Sequence, residues 1–152
     1  MVKSLFIILI FLGSLYSALA QNDVTCLNRY KYVHVSSGNI AHFMRVSLYE
    51  DVKDRLTECG LKVIRRKDIQ RSGDSCAVVY CNLEDFPLPG MVLSSSDTCM
   101  RLRFKDCEGK TVFLSKTGYS GVWLGGTKWG YENATAEALQ SLDNYKYVYL
   151  AQ

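Results

Sequence analysis

Between residues 30 and 65 a helix-type stretch lies between two β-type stretches, and this limits the possible folds more than any other feature of the sequence. Residues 30–35 (YKYVHV) alternate and are rich in strand formers, and residues 61–65 (LKVIR) read the same way. In between, Met44, Leu48, Val52, Leu56 and Cys59 recur at the spacing of one helical face over 41–59, and Gly60 supplies a stop. This order predicts two parallel strands joined by a right-handed helical crossover.

Three more strands follow, at 76–83 (CAVVYCNL), 98–105 (TCMRLRFK) and 111–115 (TVFLS). Glu108-Gly109-Lys110 turns the last two into a hairpin, whereas 84–97, with Pro87, Pro89, Gly90 and Ser94 to Ser96, reads as a long irregular connection. Asn133 is placed to cap a helix over 134–144, with Ala138, Leu142 and Tyr145 on one side. Residues 145–150 (YKYVYL) read as a final strand. The order β-α-β-β-β-β-α-β fits the α+β class, as a two-layer sandwich of a mixed sheet with two helices on one face. The tetrapeptide YKYV occurs in both the first and the last of these strands, either by chance or because the two hold equivalent, neighbouring places.

The first 20 residues read as a signal peptide. Lys3 gives a positive start, Leu5 to Leu15 an apolar run too short for a comfortable span, and Ala18-Leu19-Ala20 a cleavage site. Residues 21–152 then form a single α+β domain. No second stretch is long enough to span a membrane. With 48% hydrophobic and 22% charged residues, bulk disorder, collagen and coiled coil are excluded. The formal net charge is +3, and removing Lys3 with the leader lowers it by one. That bias and an exported address speak against nucleic acid as partner.

All six cysteines follow the leader, and an even number in an exported chain favours disulfides. A helix running back along the first strand brings Cys26 and Cys59 together. Antiparallel pairing of the third and fourth strands brings Cys81 near Cys99 and Cys76 near Cys107. No C-x-x-C or H-E-x-x-H spacing occurs, so neither metal nor cofactor is expected. Gly121 to Gly126 has the glycine spacing of a phosphate loop, but Thr127-Lys128 reverses the required order.

Strand alternation sorts the side chains. Val33, Val35, Met100, Leu102, Phe104, Val148 and Leu150 fall on the core side. Tyr30, Tyr32, His34, Arg101, Arg103, Lys105, Tyr145, Tyr147 and Tyr149 fall on the other. Tyrosine offers a ring with a hydroxyl and arginine a rigid donor fork, both frequent in interface cores. The same pattern also describes a solvated sheet face in which tyrosine serves as a strand former. Trp123 and Trp129, among glycines, read either as a sugar-stacking platform or as plugs at the core edge.

YKYV near the start, CAVVYC, the KDCEGK hairpin and the closing ATAEALQSLDNYKYVYL resemble small exported proteins of Gram-negative bacteria. The resemblance spans most of the chain after the leader. It implies an α/β fold and a periplasmic or extracellular place, and no activity. The expected function is therefore a non-enzymatic binding module with a protein or glycan partner on the Tyr/Arg face. Two alternatives stand beside it: a small hydrolase of glycan or cell-wall substrate, and a self-associating structural subunit such as a homodimer.

Overall fold

The computed structural model describes residues 23–36, 40, 44–70, 75–85, 97–121 and 126–150. The predicted leader and Trp123 lie outside them, as does most of the connection at 84–97. The strands are β1 (Tyr32–Ser36), β2 (Val78–Asp85), β3 (Thr98–Lys105), β4 (Thr111–Leu114) and β5 (Gly118–Ser120). The helices are α1 (Arg45–Glu58), the single turn α2 (Arg66–Ile69) and α3 (Gly126–Leu139). Tight 3-10 turns stand at Val24–Arg29, Ser75–Ala77 and Gln140–Leu142.

The sheet is mixed and open, ordered β1-β2-β3-β4, with β5 pairing the other half of β3. β1 and β2 are parallel, and the remaining pairs are antiparallel. The predicted second strand, 61–65, contracts to one parallel bridge, Val63 to Val33. Val33 holds it from both sides, donating to the Lys62 carbonyl at 3.0 Å and accepting from the Ile64 amide at 2.9 Å.

α1 ends where Gly60 predicts. Gly60 takes φ +93°, its amide donates to the Thr57 carbonyl at 2.9 Å, and the Leu61 amide reaches back to Leu56 at 3.0 Å. This Schellman closure satisfies carbonyls the helix would otherwise leave open. Met44, Leu48, Val52, Leu56 and Cys59 are all buried, as their spacing requires. They meet Val33 and Val35 of β1, Val79, Cys81 and Leu83 of β2, and Met100, Leu102 and Phe104 of β3 in one core. Ala134 of α3 joins the same core, so the two long helices share one layer against one sheet face.

The C-terminal third departs most from the sequence reading. α3 begins eight residues before the predicted helix, so Asn133 lies inside it rather than at its cap. Ala138, Leu142 and Tyr145 are nevertheless buried together. β5 forms within the glycine-rich stretch, where Gly118 allows close approach: a Cβ there would lie 1.8 Å from the Ala134 carbonyl oxygen.

Residues 145–150 form no strand. They run as an extended strap tied to Asn28 and Tyr30. Asn28 Oδ1 accepts from the Tyr145 hydroxyl at 2.8 Å and the Val148 amide at 3.1 Å. The Asn28 carbonyl accepts from the Leu150 amide at 2.8 Å, and the Tyr147 amide donates to the Cys59 carbonyl at 2.8 Å. The Tyr147 hydroxyl donates to the Tyr30 carbonyl at 2.7 Å. The two YKYV segments are therefore neighbours, but through side chains rather than a ladder. Val148 and Leu150, expected in the core, are 61% and 56% exposed.

One expected disulfide is present, Cys76–Cys107, with Cα atoms 5.0 Å apart. The pairs Cys26–Cys59 and Cys81–Cys99 are not made. The β2–β3 register explains the second: Cys81 faces Phe104, and Cys99 faces Tyr119 of β5. Cys26 Sγ instead donates to the Val112 carbonyl at 3.1 Å, and Cys59 Sγ to the Leu142 carbonyl at 3.7 Å.

Candidate binding face

The face of β1–β3 turned away from α1 and α3 is built by strand alternation. The parallel register sets His34 beside Tyr80 and Ser36 beside Asn82. The antiparallel register extends these rows to Lys105 and Arg103, and sets Glu84 beside Arg101. These side chains are half-buried, in contrast to the fully buried residues between them.

Tyr32, His34, Arg101 and Arg103 thus occupy the side the sequence assigns them. The other tyrosines do not join them. Tyr145 is 6% exposed and belongs to the core, and Tyr30 and Tyr147 pack against it. Tyr149 is exposed on the strap, with Lys31 Nζ 5.5 Å from its ring centroid. Trp129 is exposed on α3, in the opposite layer, and its expected partner Trp123 lies outside the described residues.

The arginines are restrained. Arg101 Nε donates to Glu84 Oε2 at 2.9 Å, and Arg103 Nε lies 2.8 Å from Oε1 and 3.0 Å from Oε2. One carboxylate thus holds two guanidiniums in fixed orientation. Arg101, Arg103 and Lys105 against Glu84 leave this part of the face net positive. Tyr32 lies under Lys62 Nζ, 5.3 Å from the ring centroid. The His34 and Tyr80 rings meet edge-on at 6.1 Å. His34 Nδ1 is 3.1 Å from the Ile64 carbonyl. A carbonyl only accepts, so the Nδ1 atom carries hydrogen and the neutral ring keeps Nε2 as its acceptor.

At one corner the single turn α2 leans over the face and turns it into a hollow of about 440 Å³. Its floor is His34, Ser36, Tyr80 and Asn82, and its wall is Arg66, Ile69 and Gln70. Tyr80, Asn82 and Glu84 alternate with Val79, Cys81 and Leu83 just as the β3 residues do, whereas Arg66 reads as part of a solvated basic run, Arg65-Arg66-Lys67. Gln70 and Ile69 carry no signal in sequence. Among the described residues, no group of three His, Cys, Asp or Glu gathers as a metal site. No described helix is long and apolar enough to cross a membrane.

No protein-family model matches the chain. No curated protein matches it either. Solved structures similar in fold include the PelC dodecamer from Paraburkholderia phytofirmans, at 18% identity and a TM-score of 0.46, covering 78% of this chain and 90% of that one. A point variant of that dodecamer is similar at 17% identity and a TM-score of 0.47, with the same coverage.

Proposed function

We propose that the protein is an exported, non-catalytic binding module that holds its ligand on the face of β1–β3 turned away from α1 and α3. The observation that carries this reading is the face itself: a row of half-buried aromatic and hydrogen-bonding side chains, opposite the layer that α1 and α3 occupy. Export is supported by the N-terminal leader pattern and by the Cys76–Cys107 disulfide, which needs an oxidising compartment to persist. Binding rather than turnover fits the electrostatics. The acid on the face, Glu84, is committed to two guanidiniums, a poor arrangement for a general base or nucleophile.

The test is retention of components from the exported fraction of the source cells on immobilised protein. Wild type is compared with the double variant Tyr32→Ala/Arg103→Ala, both proteins being checked by circular dichroism. Loss of a specific component in the folded variant supports the face, and unchanged retention removes it. A second reading, a self-associating subunit, draws on the strap, where Val148 and Leu150 expose apolar side chains two residues apart. Light scattering at two concentrations separates the two: a mass that rises with concentration and falls in Val148→Ser/Leu150→Ser supports self-association.

A further inference from the structure

We propose that the hollow beneath α2 takes a carboxylated sugar, a uronic-acid unit of an acidic glycan. This inference rests on the face reading above and names the ligand class for one corner of it. The hollow, about 440 Å³, has room for one or two pyranose rings and falls in the size range of small-molecule sites.

Its lining chemistry is mixed in a way that suits a hydroxylated ring. Asn82 and Gln70 each offer an amide donor and an amide acceptor, and Tyr80 offers a hydroxyl that both gives and accepts. His34 adds an acceptor at Nε2, because Nδ1 is turned to the Ile64 carbonyl. Ile69 and the Tyr80 ring supply apolar surface for the C–H face of a sugar.

Charge decides the class. Among the described residues, no carboxylate lines the hollow and its one full charge is the Arg66 guanidinium, which makes no ion pair with any of them. Arg103 and Lys105 continue the positive field along the adjoining strand. A single planar donor fork matches a carboxylate. One guanidinium among neutral amides is too few for a phosphate-rich ligand. A neutral sugar leaves Arg66 without a counterpart.

The experiment is isothermal titration of the protein with trimers of galacturonate and of glucuronate, and with their carboxyl-reduced neutral counterparts. The expected preference for one of the acidic trimers over its neutral counterpart is roughly tenfold, the worth of one charge-assisted hydrogen bond. Arg66→Gln, at an exposed position, should erase that preference and keep the fold. Asn82→Ala should weaken acidic and neutral trimers alike. Equal binding of acidic and neutral trimers, or a preference that survives Arg66→Gln, overturns the assignment of a carboxylated ligand. Binding of none of the trimers, while Tyr32→Ala/Arg103→Ala still abolishes capture, overturns the sugar and leaves the face reading standing. If both assays are blank, both readings fall.

Discussion

Asn28 ties the C-terminal strap to the body of the fold, and its removal is the sharpest structural test. The residue is 9% exposed. Its side-chain oxygen accepts from the Tyr145 hydroxyl and the Val148 amide. Val148 is exposed, so its amide has water as a substitute partner in Asn28→Ala. The Tyr145 hydroxyl is buried and has no such recourse. An unsatisfied buried donor costs about 1–3 kcal/mol, and the lost Tyr145 bond a further ~1 kcal/mol, so Asn28→Ala should destabilise by about 2–4 kcal/mol. With a urea slope of about 2 kcal/mol per molar, the unfolding midpoint should fall by about 1–2 M at unchanged slope. Tyr145→Phe removes the donor and its demand together. In a Tyr145→Phe background Asn28→Ala should therefore cost at least ~1 kcal/mol less. Fully additive variants, or a single-variant loss under about 0.5 kcal/mol, would refute the linchpin role.

Other outcomes follow from single contacts. Gly118→Ala drives a methyl into the Ala134 carbonyl and should cost about 3 kcal/mol or more, seen as a fall in thermal midpoint. Thr135 Oγ1 is buried without a hydrogen-bond partner among the described residues, so Thr135→Val should be neutral or stabilise by up to about 1 kcal/mol in the same assay. The hydrogen bond Tyr131 donates to Asp85, followed by burial, pushes its hydroxyl up from 10.0 to about 12. The folded state therefore holds that proton more tightly. The contribution is fully present below pH 10 and lost as pH rises through about 12. Tyr131→Phe should flatten the alkaline fall in urea stability over that window, and an unchanged slope would contradict the bond. Burial, reinforced by Asp23, lifts the Cys26 thiol to about 11. Alkylation at pH 8 followed by mass spectrometry should label Cys26 slowly in the native state, and Cys76 and Cys107 only after reduction.

Local pattern and global contact divided this molecule in an orderly way. The amphipathic spacing of α1, its glycine stop, and the alternation of β1 and β3 are properties of neighbours along the chain. The sequence therefore carried them, and with them the two-layer class and the β1 and β3 part of the open face, though not its other tyrosines. The β2 face residues Tyr80, Asn82 and Glu84 were equally readable from their alternation with Val79, Cys81 and Leu83. The hollow was not, because it depends on where α2 folds back after Val63.

YKYVYL has every local mark of a strand, yet it lies as a strap, since strand formation needs a free ladder partner and Asn28 and Cys59 offer point contacts instead. Tyr145 entered the core and Tyr147 packed against it for that reason, while Tyr149 and the aliphatic residues reached solvent. Cysteine partners likewise follow from register: Cys81 stands opposite Phe104 rather than Cys99, and composition holds no record of that alignment. The sequence by itself determined which residues alternate, coil and turn. Tertiary structure alone decided which of those faces found a partner, because that choice depends on contacts between segments far apart in the chain.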